Sequence, residues 1–246
     1  MDTPPADALQ EELTRYIANH LYRIGDNLTR VGNLIELAQR TSLAQGTKED
    51  VLRSAVVFLH ATLEDFLRYI GFKYLPTASE AVLDKIGLVD SSDVLRAEKF
   101  LLGKLAKHRG KTVEELIAQS VNSYLDKISF SEPGDISRLL ESCDIRLEHV
   151  RPFYPAIGQL MRRRHQVVHR ADLSESAIEG PRSLVSIDPS AVTEWKEAVK
   201  HFVSAVIAEK IGQDFGMRLA EAKKQTSTQA MQPTAVKKTE RLKRKR

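Results

Sequence analysis

A run of nine residues late in the chain concentrates the side chains that could do chemistry. It extends from Arg162 to Arg170 and contains four arginines and two histidines, His165 and His169. The arginine guanidinium keeps its positive charge and binds phosphate oxygens through a planar fork of donors. Histidine is the side chain whose ordinary pKa lets it take or give a proton near neutral pH. Cleavage of an RNA strand without a metal needs this combination of groups.

One arginine of this run has an unusual position on the predicted helix. At about 100° per residue the segment has a single apolar stripe, and Arg164 falls near its middle. A charged group on a core-facing stripe is costly unless it is paired or faces water. We therefore expect Arg164 either to pair with an acid or to face a wet cleft. The apolar members of the stripe are Ile157, Leu160, Met161, Val167, Val168 and Ala171.

The two histidines of the run are four residues apart, so they lie together on one flank of the same helix. His165 and His169 also have the helical spacing of a metal-binding pair. The zinc-protease pattern needs a Glu after the first histidine, however, and Gln166 stands there instead. We predict neither a metal site nor a cofactor.

The run resembles the signature of the HEPN superfamily, small all-helical domains whose ribonuclease members carry Arg, then a polar residue, then three to five further residues and His. Arg164, His165 and His169 fit this pattern, with four residues between the arginine and the last histidine. The earlier stretch 54–68, which contains Glu64, resembles the Glu-containing helix of several HEPN families. The resemblance extends over roughly residues 6–212.

The resemblance implies a metal-independent endoribonuclease, a toxin or defence effector whose substrate is RNA and whose partner is an antitoxin or regulatory protein. It also implies a homodimer in which two motif helices line one cleft. Arg164 would bind the phosphate and His169 would transfer protons, with His165 orienting the pair or contacting phosphate. In the branch that is silenced by nucleotidylation a Tyr follows two residues after the His. This chain has Ala171 there, so we do not expect that control.

The neighbouring charges have simpler expected roles. Arg163 and Arg170 would attract the RNA backbone without reading its sequence. Glu64 is either an ordinary surface carboxylate or a supporting partner of Arg164. In the second case Arg164 would be a structural residue with solvated histidines beside it. The alternatives to an enzyme are an inactive HEPN-like helical scaffold or module that binds nucleic acid or protein, and an unrelated helical interaction protein.

Composition limits the classes of protein that fit. The chain has 246 residues, 42% of them hydrophobic, and a mean hydropathy of −0.31, which is typical of a soluble globular protein. Neither a secretory leader at the start nor a run long enough to cross a bilayer is recognisable. The single cysteine, Cys143, rules out an internal disulfide and a thiolate zinc cage. We predict a cytoplasmic protein without a membrane partner.

The net charge of +4 is unevenly distributed along the chain. Residues 223–246 contain nine of the 37 Lys and Arg residues but only one of the 33 Asp and Glu residues. The remaining residues therefore carry a net charge of −4, so an anion site on the folded part must be local. The segment 223–246 has too little apolar content to fold, and we predict that it is a disordered basic tail.

Hydrophobic periodicity predicts an all-α fold, a HEPN-like helical bundle in residues 1–222. A long helix over 6–43 pairs with a second helix, for which Thr47 is the candidate N-cap and Pro76 the end. Residues 77–145 read as a helical insertion or cap. The predicted short helices lie near 79–87, 93–107, 112–128 and 134–142. The motif helix is predicted at 149–171, with Pro155 near the start of its regular part, and the last helix opens at Asp188-Pro189-Ser190.

Overall fold

The computed structural model is all-α, as predicted. It describes residues 6–89, 102–173 and 184–230, with side chains described in 22–89, 105–173 and 184–213. In these ranges no β-strand forms, and one isolated backbone bridge joins Leu173 to Leu184. None of the helices in these ranges is both long and apolar enough to cross a membrane. The helices are α1 (Ala6–Ala38), α2 (Gln45–Tyr74), α3 (Glu80–Leu83), α4 (Val113–Lys127), α5 (Pro133–Ser142), α6 (Tyr154–Arg170) and α7 (Pro189–Ala230).

The first two helices form the predicted hairpin. α1 packs along α2, with Arg23 paired to Asp65 at 3.1 Å and the Arg30 guanidinium 4.5 Å from the centre of the Phe58 ring. α1 ends at Ala38, five residues before the predicted end. Its buried side chains recur at helical spacing and include Ile24, Val31, Ile35 and Ala38.

The ends of α2 test two predictions. Its N-cap is Ala44, so the predicted cap at Thr47 is wrong, and residues 45–47 form the first helical turn. No side chain caps this end, so the sequence contains no capping residue that marks the true start of α2. The predicted stop at Pro76 is confirmed, because α2 ends at Tyr74 and a 3-10 turn follows.

The predicted insertion or cap, residues 77–145, supplies part of the core. Both α4 and α5 pack on α2, and α5 also contacts α6. A Cβ added at Gly71 of α2 would lie 2.7 Å from a methyl carbon of Leu125, so a larger residue there would displace this leucine where α4 packs on α2. The predicted helix at 93–107 lies largely outside the described residues. Fully buried side chains of α4 and α5 are Val121, Leu125, Ile136 and Leu140.

Helix α6 carries the motif run and packs its first half against α2. A 3-10 turn at Arg151–Phe153 leads into it, with Pro155 in its first turn as predicted. The buried residues Ile157, Leu160 and Met161 face the core. The helix ends in two left-handed residues, Ala171 (φ 49°) and Asp172 (φ 58°), which turn the chain abruptly.

The last helix begins where the sequence predicts, at Pro189, with the Asp188 carboxylate accepting a hydrogen bond from the Ser190 amide at 2.7 Å. It packs on α2 through an edge-to-face contact of Phe202 with Phe66. Described residues up to Val206 belong to one compact unit and those after it to a second.

The predicted disordered tail begins too early. Helix α7 continues to Ala230, so residues 223–230 are helical. Lysine, glutamine and alanine in this stretch have good helix propensity, and extending a formed helix costs little even without an apolar face. Residues 231–246 lie outside the described residues.

Candidate functional site

A pocket of about 470 Å³ opens beside the motif helix. Its walls come from α2, from α6 and from the loop between α4 and α5. None of the described residues that line it carries a carboxylate, whereas three arginines and two histidines do line it. A lining with cationic side chains and without a carboxylate favours the binding of an anion. The lining residues are His60, Phe130, Ser131, Met161, Arg162, Arg164, His165, Gln166 and Arg170.

Arg164 lines this pocket and does not pack into the core. Its side chain is half-buried, and within the described part of the chain its guanidinium has neither a hydrogen bond nor an ion pair. The alternative partner, Glu64, instead pairs with Arg68 at 3.5 Å. A guanidinium held without a carboxylate partner keeps its fork of donors available for phosphate oxygens.

The two histidines of the motif are exposed and contact each other. The ring centres of His165 and His169 are 4.7 Å apart, with 41° between the ring planes. His165 lines the pocket beside Arg164, but His169 is not among the lining residues. Nowhere in the described chain do three or more His, Cys, Asp or Glu side chains cluster closely enough to hold a metal ion. Within this chain, therefore, the predicted pair Arg164 and His169 does not share a pocket wall.

The structure adds a third histidine that sequence reasoning missed. His60 of α2 is 3% exposed and lines the pocket. A carbonyl oxygen can only accept, so the His60 Nε2–H donates to the Phe130 carbonyl at 3.2 Å. Burial lowers the pKa of His60, and the charge of Arg164 acts in the same direction, while Glu64 partly opposes both. His60 is therefore the neutral imidazole at neutral pH.

A signal for His60 was present in the sequence. The residue stands in the apolar stripe of α2, four residues after Val56 and three before Leu63, both fully buried. This is the same anomaly that singles out Arg164, a polar group where packing alone would place an aliphatic one. Such a position requires a hydrogen-bond partner, which the loop after α4 supplies.

Arg68 holds the loop that carries Phe130 against α2. Its Nη2 donates to the Ile128 carbonyl at 3.0 Å, and its guanidinium lies 5.7 Å from the centre of the Phe130 ring. Glu64 pairs with this arginine. The partnership of Glu64 with Arg164 that the sequence suggested is therefore absent, and Glu64 contacts the arginine that fixes the loop.

The side chain of Arg163, which we predicted to attract RNA, is largely buried and binds groups of the protein itself. Its side chain is 10% exposed, and its Nη2 donates to Asp172 Oδ2 at 2.8 Å and to the Val185 carbonyl at 2.8 Å. The same carboxylate oxygen accepts from Arg53 Nε at 2.5 Å, and Arg53 also pairs with Glu49 at 3.1 Å. This correction has a simple cause, because Arg163 is about 100° around the helix from Arg164 and faces a different surface.

The remaining arginines stay at the mouth of the pocket. Arg170, predicted to attract the RNA backbone, is exposed and lines the pocket. Arg162, which sequence reasoning did not single out, is also exposed and lines it. Long flexible cations at a pocket rim raise the local concentration of anions without imposing a fixed geometry.

No protein-family model, curated protein or solved structure matches this chain. The resemblance to HEPN domains therefore depends on the motif run and on residues 54–68 alone.

Proposed function

We propose that this protein is a metal-independent endoribonuclease of HEPN type, with Arg164 as its phosphate-binding residue. One observation carries the proposal. The guanidinium of Arg164 has no partner among the described residues and lines a pocket whose ionisable residues are all arginines or histidines. A phosphodiester group would supply the negative charge that this pocket lacks.

The chemistry requires two proton transfers and one charge stabilisation. The ribose 2′-hydroxyl must lose a proton, the leaving 5′ oxygen must gain one, and the pentacoordinate phosphate between them must be stabilised. Arg164 suits the last task. His165, which lines the pocket, and His169, whose ring contacts that of His165, suit the proton transfers.

A homodimer is part of the proposal. Val168 is 46% exposed and lies on the outer face of α6 together with His165 and His169. A second copy packed on this face would cover the valine and bring a second set of histidines to the pocket region. Mixing Arg164→Ala protein with His169→Ala protein tests this, because a heterodimer keeps one intact residue of each kind. A monomeric mass in protein that still cleaves RNA would rule the shared site out.

The biological setting follows from the resemblance alone. A HEPN-type ribonuclease with this motif would act as a toxin or defence effector in the cytoplasm. It would be restrained by an antitoxin or another regulatory protein.

One observation favours a second candidate, a module that binds RNA without cutting it. In a single protomer His169 does not line the pocket that Arg164 lines. The same cationic pocket would then hold phosphate groups while no proton transfer follows.

Purified protein incubated with total RNA in excess EDTA separates the two candidates. The ribonuclease cuts the RNA, and Arg164→Ala and His169→Ala each lose that activity while staying folded. The binding module retards RNA on a gel, leaves it intact, and loses this binding with Arg164→Ala. Protein that neither cuts nor binds RNA contradicts both.

A further inference from the structure

RNA cleavage by internal attack needs a proton acceptor at the 2′-hydroxyl and a proton donor at the leaving oxygen. The pocket around Arg164 contains histidines from two helices, His60 of α2 and His165 of α6. Only the second belongs to the motif run. The buried histidine thus has a location that the proposed reaction can use, and the motif gives it no role.

The hydrogen bond of His60 fixes which ring nitrogen can act. Because Nε2 carries the hydrogen donated to Phe130, Nδ1 carries the lone pair. No hydrogen bond to Nδ1 is present among the described residues. A backbone carbonyl that holds one ring nitrogen and leaves the other as an acceptor is the usual way to prepare a histidine as a base.

Burial, more than the neighbouring charges, lowers the pKa of His60 and keeps the ring in the accepting form. Arg164 on α6 and Arg68 on α2 disfavour a second positive charge, while Glu64 on α2 favours one. Burial outweighs the carboxylate, so the pKa of His60 lies below its ordinary value of 6.5. The neutral ring then persists at neutral pH, which is the state that a general base requires.

We infer that His60 is a catalytic residue of this site, the general base that accepts the proton of a ribose 2′-hydroxyl while Arg164 holds the adjacent phosphodiester. The inference rests on the proposed ribonuclease function and extends it to a residue outside the HEPN-like motif. It assigns the exposed pair His165 and His169 to the other proton transfer.

The step balances, because each proton that is released is taken up by another group and one phosphorus–oxygen bond forms as another breaks. The proton of the 2′-hydroxyl moves to His60 Nδ1, and the 2′ oxygen forms a bond to phosphorus. The bond from phosphorus to the 5′ oxygen breaks, and that oxygen takes a proton from the protonated His165 and His169 pair. The products are a 2′,3′-cyclic phosphate and a 5′-hydroxyl, and proton exchange with water returns both histidine sites to their starting forms.

The variant that tests this is His60→Gln. The glutamine amide retains a neutral N–H donor for the Phe130 carbonyl but cannot accept a proton at neutral pH. The matched control is His108→Gln, since His108 is also buried but does not line the pocket. We expect His60→Gln to lower kcat on the order of 100-fold or more, with KM little changed, and His108→Gln to behave as wild type.

The pH dependence of kcat/KM distinguishes a catalytic histidine from a purely structural one, because replacing a structural histidine would leave it unchanged. For the wild type, kcat/KM should fall at pH values below 6.5 as His60 gains a proton, and this acidic limb should be absent from the residual activity of His60→Gln. A second measurement uses the wild-type chain alone. The ring signal of His60, one of seven histidines, should shift in NMR spectra when 2′-O-methyl RNA, which binds but cannot be cut, is added.

The outcomes distinguish a failure of the proposed role of His60 from a failure of the proposed ribonuclease function. Wild-type cleavage in EDTA together with full turnover and an unchanged acidic limb in His60→Gln overturns the role of His60 and leaves the ribonuclease standing. If His60→Gln does not fold, the absence of a His60 shift with bound 2′-O-methyl RNA overturns it equally. A wild-type protein that binds RNA but never cuts it removes the ribonuclease and this inference together.

Discussion

His60 and Arg164 lie 104 positions apart in the sequence, on α2 and α6, and line the same pocket. The positive charge of Arg164 helps to hold the pKa of His60 below its ordinary value. A neutral acceptor beside an unpaired cation is an arrangement suited to an anionic substrate that must lose a proton.

The adjacent arginines Arg163 and Arg164 should respond oppositely to replacement by alanine. Arg164→Ala should leave the free energy of unfolding nearly unchanged and abolish RNA cleavage, because its guanidinium faces the pocket without a partner. Arg163→Ala should lower the free energy of unfolding by about 2 kcal/mol, because it removes hydrogen bonds from a buried carboxylate. Thermal melting and a cleavage assay on both variants check this. A large loss of stability in Arg164→Ala would indicate a structural arginine.

Asp172 should be the most sensitive carboxylate of the described chain. It balances Arg53 and Arg163, both nearly buried, so Asp172→Asn should cost about 3–5 kcal/mol of unfolding free energy. Asparagine tolerates the left-handed backbone at this position, so the loss reports the charge alone. Urea unfolding followed by fluorescence of Trp195, the single tryptophan and 7% exposed, measures it. Near wild-type stability would show that the two arginines need no common counterion.

Stability should fall as the pH drops below 6.5. The folded protein holds His60 neutral, whereas the unfolded chain protonates it near pH 6.5, so in this window the unfolded state binds more protons. The contribution is complete above pH 6.5 and is lost as the pH falls toward the lower pKa of the folded state. Melting curves from pH 7.5 to 5.5 should show this slope in the wild type and a smaller one in His60→Gln. Equal slopes would assign the effect to other groups.

The basic end of the chain should add nonspecific RNA affinity only. Residues 231–246 contain seven Lys or Arg residues and one Glu. Deleting them should weaken RNA binding and reduce its dependence on salt, by up to about 0.7 in log–log slope for each phosphate that the segment neutralises. Titration of labelled RNA at several salt concentrations measures the slope. Cleavage in EDTA should persist, and its complete loss would place part of the active site in this segment.

Local signals in the sequence predicted the framework and one side of the pocket. Proline marks the start of α6, the start of α7 and the end of α2, because it fixes its own backbone and removes a donor. The position of Arg164 on an apolar stripe pointed to the pocket.

The partners that complete the site depend on distant segments. Asp172 reaches Arg53 across 119 positions, and His60 reaches Phe130 across 70. No periodicity within one helix encodes such pairs, so the stripe of α2 marks His60 as unusual but does not reveal its partner, and the burial of Arg163 against Asp172 could not be predicted. The dimer and the reaction stay predictions.

The ends of the RNA fragments provide the most direct test of the proposed reaction. Wild-type protein and Arg164→Ala are each incubated in excess EDTA with a defined RNA and, separately, with the same sequence made with 2′-deoxyribose throughout. The masses of the products are measured by mass spectrometry. We predict 2′,3′-cyclic phosphate and 5′-hydroxyl ends from RNA with the wild type, and intact strands in the other reactions. Intact RNA with the wild type, cleavage of the 2′-deoxy strand, or full activity in Arg164→Ala would contradict the proposal.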